Sequence, residues 1–190
     1  MSDQTVVLIK PDGVKKGRVG EIMARLERVG LKIVGAKLIW VNKTFVGKHY
    51  QDDKTYHKSV GEKTLENYKK FGVDPGETLG TKDPVRIGQL VRRWNMEFLS
   101  SGPVMALLLE GPDAVLIVRK IVGHTFPSDA LPGTIRGDFS LDSAYHSNLQ
   151  KRTTQNVIHA SGSKEEASFE KKLWFKRNEI YSYWEVKVRL

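Results

Sequence analysis

The strongest constraint on this chain is an alternation of short apolar runs and helical stretches along most of its length. Residues 5–10 and 31–41 are rich in Val, Ile and Leu, and residues 104–109 are apolar without a break, as expected of a strand covered on both faces. Residues 157–160 read as a shorter fourth strand. Pro11-Asp12-Gly13 breaks the first run. Residues 21–28 then place Ile22, Met23, Leu26 and Val29 on one helical face, and Gly30 stops them. Residues 44–50 read as a short helix with Thr44 as N-cap. Residues 85–99 carry Leu90, Trp94 and Phe98 at four-residue spacing, and residues 113–122 set Ala114, Val115, Val118, Ile121 and Val122 on one side. Ser163-Lys164-Glu165-Glu166 has the form of a capping box opening a helix to about Trp174. This order predicts one α+β domain over residues 1–190. Its architecture is a ferredoxin-like βαββαβ sandwich with an antiparallel four-stranded sheet and extra helices. A Rossmann-like reading of the same alternation needs a fully parallel sheet and a Gly-rich turn after the first strand.

Two stretches fall outside the alternation. Residues 51–83 mix Lys, Gly, Glu and Thr around a Pro75-Gly76 turn and read as an irregular excursion. Residues 123–156, with Pro127, Pro132 and several Gly and Ser, read as a long loop region of the kind that is usually functional or flexible.

Composition bounds the function. The chain has no cysteine, which excludes disulfides and thiolate metal sites and fits a reducing compartment. Residues 6–9 are too short an apolar run for a membrane span or signal segment, and no basic leader precedes them, so the expectation is a cytoplasmic protein with no membrane association. The formal charge of +9 concentrates anions but does not choose among nucleotides, nucleic acid and acidic lipid. Residues 171–190 hold six Lys/Arg against two Glu and read as a solvated face.

The common phosphate motifs are missing. Gly13-Val-Lys-Lys-Gly17 lacks the spacer and the G-K-[ST] ending of a P-loop, and there is no G-x-G-x-x-G. Asp138-Phe139-Ser140 superficially resembles a protein-kinase motif but has no H-R-D companion. The five histidines (49, 57, 124, 146, 159) show no metal-ligand spacing, so no protein-held metal is expected.

One constellation remains. His159 ends the last strand, and Glu170 shares a face of the following helix with Ala167, Leu173 and Trp174. A core-facing carboxylate needs a partner. Bonded to one ring nitrogen of His159, it would set the tautomer and leave the other nitrogen free to attack. On these residues alone a structural histidine held by a buried acid is an equal reading. Lys10, Arg119, Thr125 and Arg136 lie beside strand ends or glycine loops and offer a second cluster, suited to phosphate oxygens.

Six ordered segments carry a resemblance: Lys10-Pro-Asp-Gly13, His49-Tyr50, Ser101-Gly-Pro-Val104, Gly123-His-Thr125, Pro132-Gly-Thr-Ile-Arg-Gly-Asp-Phe139 and Asn156-Val-Ile-His159-Ala-Ser161. Together they resemble the nucleoside diphosphate kinases. The resemblance implies transfer of the γ-phosphate of a nucleoside triphosphate to a nucleoside diphosphate, by a ping-pong route through a phosphohistidine on His159. Glu170 would orient His159, with Tyr50 and Ser161 as hydroxyls near it. Lys10, Arg119, Thr125 and Arg136 would hold phosphates, Asn156 and Lys10 the ribose 3′-hydroxyl, and Tyr56 would stack on the base with broad base tolerance. Mg²⁺ would ride on the nucleotide phosphates, with no protein-held metal, and the assembly would be a homo-oligomer, hexamer or tetramer. Relative to the family pattern, Ala160 replaces Gly, Gly162 replaces Asp, and Phe126 stands where a small polar residue is usual. Residues of about 57–85 and 141–151 read as insertions, the first beside the segment that caps the nucleotide. The competing class is a basic ferredoxin-like sheet that binds single-stranded nucleic acid. It is disfavoured because residues 104–109 carry none of the aromatics such a sheet uses.

Overall fold

The computed structural model of the protein describes residues 3–183. Strand β1 (Asp3–Ile9) leads into α1 (Pro11–Lys15) and α2 (Val19–Glu27), then β2 (Lys32–Ile39). Four helices follow: α3 (Lys43–His49), α4 (Lys54–Lys70), α5 (Pro75–Leu79) and α6 (Pro84–Leu99). Strand β3 (Val104–Gly111) and α7 (Ala114–Val122) come next, then α8 (Ile135–Phe139), α9 (Ala144–Leu149), β4 (Ile158–Ala160) and α10 (Lys164–Trp174). Short 3-10 turns at Pro127–Asp129 and Arg177–Glu179 complete the path. No helix among the described residues is long and apolar enough to cross a membrane.

The four strands lie in the order β2-β3-β1-β4, and every neighbouring pair is antiparallel. This is the ferredoxin-like sheet, and it excludes the parallel alternative. Both faces are covered, as the unbroken apolar run at 104–109 requires. Val7, Ile9, Leu107 and Leu109 pack on Ile22 and Leu26 of α2 and Val118 and Val122 of α7. Val6, Leu8, Ala106 and Leu108 point the other way, onto Val46 of α3, Leu99 of α6 and Trp174 of α10.

The excursion at 51–83 is not irregular. It forms the 17-residue α4 and the short α5. The buried positions of α4 are His57, Gly61, Thr64 and Tyr68, a helical stripe of small and polar residues that an apolar-period reading passes over. The stripe works because α4 and α6 meet backbone to backbone. A Cβ on Gly61 would stand 1.8 Å from the Pro84 carbonyl oxygen, and one on Gly88 would stand 1.9 Å from the His57 carbonyl oxygen. Asp53 and Asp83 cap the two helices, accepting from the N–H groups of Tyr56 (2.9 Å) and Arg86 (2.8 Å).

Other expectations shift in detail. The N-cap of α3 is Asn42, which accepts from Phe45 N–H, not Thr44. Pro11-Asp12-Gly13 opens a helix, with proline in its first turn. At α10, Ser163 Oγ accepts from Glu166 N–H (3.2 Å), but the returning Glu166 carboxylate bonds Gly162 N–H, so the capping box is displaced by one residue. The long loop at 123–156 contains α8 and α9. There Asp142 accepts from both terminal nitrogens of Arg152 (2.5 and 3.1 Å) and from Gln155 N–H (2.7 Å). The described part of the basic tail is not wholly solvated: Phe175 joins the core, and Tyr181 N–H bonds the Val34 carbonyl (2.8 Å). Residues 184–190, the rest of that tail, lie outside the described residues.

We expect Gly61→Ala to cost at least about 1–3 kcal/mol, as over-packing does elsewhere, because its methyl meets backbone that cannot move without separating the helices. Urea unfolding of the variant measures this, and an unchanged midpoint contradicts the close crossing.

Candidate active site

Sheet register sets where the central side chain points. His159 stands directly opposite Leu8 across the β1–β4 pair, so it shares the face on which α3 and α10 pack. Glu170, midway along α10, meets it there: His159 Nε2 lies 2.6 Å from Glu170 Oε1. The other carboxylate oxygen accepts from Ser161 Oγ at 2.6 Å, and Ser161 Oγ in turn accepts Val6 N–H at 3.2 Å. His49 closes the pocket from α3. Its ring stands edge-on to that of His159 (centroids 4.8 Å), its Nδ1 accepts Trp174 Nε1–H at 3.3 Å, and the same nitrogen is 3.5 Å from Glu170 Oε1. The Glu170 side chain is 2% exposed and the His159 side chain 20%. The acid is sealed behind the ring, and the ring is open on its far edge.

This arrangement decides protonation. Burial, then Lys10, then Arg136 and Arg119 hold the His159 imidazole below its ordinary range, with Glu166 opposing them. The ring is therefore neutral at physiological pH. Its Nε2–H donates to the carboxylate, and the Nδ1 lone pair stays available. Burial and His159 push His49 down to about 3, with Glu170 opposing. Burial pushes the Glu170 carboxyl up, against His49 and the Ser161 hydrogen bond.

A cleft of about 340 Å³ opens in front of His159, within the size range of small-molecule sites. Lys10, Tyr50, Arg119, Thr125, Arg136, Asn156 and His159 all line it. Lys10 Nζ donates to Asn156 Oδ1 (2.8 Å), and Asn156 Nδ2 donates to the Thr125 carbonyl (2.8 Å). Arg136 is pinned by the carbonyls of Gly123 (3.1 Å), His124 (3.2 Å) and Ile158 (2.9 Å), and its Nε is buried with no partner. Arg119 is exposed and has no acidic partner among the described residues. Burial and the Arg136 charge push Lys10 down to about 8, with Asp12 opposing. Cations crowded together with few counter-charges are a site for a polyanion.

The backbone behind this ring is strained. Val157 has φ +58, an unusual value for a β-branched residue. The buried Asp12 carboxylate holds its N–H (2.9 Å), and its carbonyl accepts Lys10 N–H (2.8 Å). The kink lets Asn156 reach Lys10 and Thr125 while the next residues pair with β1.

Two predicted site residues, Glu170 and Ser161, stand behind the ring and not in the cleft. Tyr56 does not line the cleft. It sits one helical turn before Val60, the first cleft-lining residue of α4, and packs edge-on against His57 at 6.0 Å. Asp12 and His49 have structural roles here that the sequence reading left unassigned. Asp12 is buried, whereas Pro-Asp-Gly in a sequence reads as a surface turn, so its sequence carries no signal of this role. The structure also brings His49, His159 and Glu170 together, with ligand-type atoms within 4.8 Å, a convergence that histidine spacing in sequence does not reveal. Two imidazoles and one carboxylate, already bonded to one another and to Trp174, do not make an oxygen cage for a hard cation.

A neutral imidazole beside a cluster of cations is the arrangement of a phosphotransferase site. Comparison narrows the class. The family model described as nucleoside diphosphate kinase matches residues 3–66 and 93–180, and the chain belongs to that family. A nucleoside diphosphate kinase of Pyrobaculum aerophilum is 40% identical over 178 residues, covering 94% of this chain and 97% of that protein. The crystal structure of an NDP kinase from the same organism superposes with a TM-score of 0.93 at 38% identity, covering 96% of this chain and all of the other. A transition-state mimic of the Borrelia burgdorferi enzyme, with bound vanadate and ADP, gives a TM-score of 0.77 at 34% identity over 97% and 94% of the two chains.

A histidine with a depressed pKa binds fewer protons folded than unfolded. For His49 the resulting stability is complete above the unfolded value of 6.5 and is lost as pH falls toward about 3. We expect the unfolding free energy to fall between pH 6.5 and 5 by up to roughly 1.4 kcal/mol per pH unit for such a histidine, and His49→Gln to flatten that slope. Chemical denaturation across this range measures both.

Proposed function

We propose that the protein transfers the γ-phosphate of a nucleoside triphosphate to a nucleoside diphosphate through a phosphohistidine on Nδ1 of His159. The Nδ1 lone pair attacks the γ-phosphorus, the bond to the β,γ-bridging oxygen breaks, and the diphosphate leaves with the bonding electrons. The terminal oxygen of a second diphosphate then attacks the phosphorus, and its nitrogen bond breaks to restore the ring. Two such half-reactions give ping-pong kinetics. The observation that carries this reading is the 2.6 Å contact of Nε2 with a sealed carboxylate, which leaves the other ring nitrogen facing the cation-lined cleft.

The ring of cations supports the electrostatic part. Phosphoryl transfer needs little beyond positioning and charge neutralisation. Arg119 and Lys10 supply donors and the buried Arg136 adds its charge, with Thr125 beside them. The negative charge of a polyphosphate opposes the burial and the Arg136 charge that lower Lys10, and so favours its protonated form. Tyr50 borders the same cleft and is the hydroxyl in contact with it near the ring, whereas Ser161 acts through Glu170. Lys10 and Asn156, joined at 2.8 Å, are suited to a ribose hydroxyl. Mg²⁺ belongs to this reading as a companion of the nucleotide, where it neutralises the phosphates when bound. The reading also includes a cytoplasmic homo-oligomer, consistent with the absence of cysteine and with exposed Leu38 and Trp40 on and just after β2.

Incubation with γ-labelled ATP tests it. We expect an acid-labile, alkali-stable label on the protein, discharged by nucleoside diphosphates, and no label on His159→Ala. Glu170→Gln should retain labelling but lose about 10²-fold in rate, the cost of a misplaced nucleophile. An unlabelled wild type, or label retained by His159→Ala, rejects the phosphohistidine.

A further inference from the structure

One acid stands among the cations of the cleft. Of the described residues lining it, Lys10, Lys63, Arg119, Arg136 and Arg152 are basic, and Glu166 alone is acidic. Arg152 is neutralised by Asp142, which holds both of its terminal nitrogens. The Glu166 carboxylate accepts from Gly162 N–H, and no Lys or Arg side chain pairs with it among the described residues. Glu166 and Glu170 are four residues apart and share a face of α10. Glu170 reaches Nε2 of His159 from the interior, whereas Glu166, a turn nearer the start of the helix, borders the cleft beside Ala160 and Gly162. The two carboxylates of α10 thus flank one imidazole, one sealed behind it and one in front.

Residue 162 makes room for the one in front. A Cβ there would stand 2.6 Å from Glu166 Oε2, so the carboxylate occupies the space that a side chain at 162 would enter. Gly162 stands where the family pattern has Asp. The negative charge at this corner of the cleft is therefore supplied from α10 instead of from the loop before it. Its field reaches the ring: after burial and Lys10, Glu166 is the strongest influence on the His159 imidazole, ahead of Arg136 and Arg119.

We propose that Glu166 sets how readily the carrier histidine gives up its phosphoryl group, by destabilising the phosphorylated form against the cations that stabilise it. This rests on the phosphohistidine reading. When the bond from Nδ1 to phosphorus forms and the bond to the β,γ-bridging oxygen breaks, about two negative charges arrive at a ring that was neutral. Lys10, Arg119 and Arg136 favour that arrival. A carrier favoured too far accepts from a triphosphate and does not discharge to a diphosphate. Glu166 repels the phosphoryl oxygens and has no such effect on the empty ring, so it acts on the difference between the two states. Glu170 cannot do this, because its charge is spent on the Nε2–H that is present in both.

The experiment measures the equilibrium constant of the first half-reaction, phosphoprotein and ADP over free protein and ATP. The intact protein is titrated with γ-labelled ATP at fixed ADP and excess Mg²⁺. A misfolded fraction lowers the total label but not this constant, so a folding defect does not imitate the effect. Glu166→Gln removes the charge and keeps an acceptor for Gly162 N–H. We expect the constant to rise at least about threefold toward the phosphoprotein at low salt, the scale of one charge contact screened by water. The rise should shrink as salt approaches ~1 M. Gly162→Asp combined with Glu166→Ala returns a charge to the same corner and should bring the constant back to within about twofold of the wild type. An unchanged or lowered constant in Glu166→Gln, a rise indifferent to salt, or no recovery in the double variant overturns the proposal and leaves phosphoryl transfer standing. A wild type that takes no label rejects the phosphohistidine itself.

Discussion

The site depends on one sealed carboxylate. Glu170 is anchored by Ser161 on one oxygen and by His159 on the other, with His49 and Trp174 closing the space around it. Desolvating an acid this thoroughly is costly unless its oxygens are bonded. Both are, so the bonding fixes the ring of His159 as well as the acid. The same burial that raises Glu170 lowers His159, and the neighbouring cations lower it further. The imidazole is consequently neutral and held in one tautomer by the fold itself.

Around this pair the fold divides its labour. Lys10 follows the last residue of β1, the kink at Val157 aims Asn156, and the pinned Arg136 ties the 123–124 backbone to that of β4. The strain at Val157 is tolerated because Asp12 and the Lys10 N–H hold both of its backbone groups from the start of α1. The cation-lined end of the cleft is thus built from the strand ends of the four-stranded sheet. The opposite wall is built from helices added outside it, and α4 and α6 can stand there only because Gly61 and Gly88 let their backbones touch.

The elements around the sheet were readable because their periodicity reports burial directly. Residues 104–109 announce a two-sided strand, and Ile22 and Leu26 announce a face of α2. α4 was not readable in that way, since its buried stripe is His57, Gly61, Thr64 and Tyr68, which no hydrophobic scale marks. The role of Asp12 was hidden for a related reason: Pro-Asp-Gly is also what an ordinary surface turn looks like. Tyr56 falls outside the cleft lining because the chain begins a long helix there, which leaves that ring a turn short of Val60.

Local chemistry, then, was enough to name the strands, the pairing of His159 with the acid on the next helix, and the cationic residues of the site, because residue type and spacing act over short distances. Which nitrogen of His159 is left free, how His49 and Trp174 close over Glu170, and which side chains form the far wall of the cleft depend on segments distant in sequence. Those facts follow from sheet register and from the crossing of α4 with α6, contacts that exist only once the chain has packed.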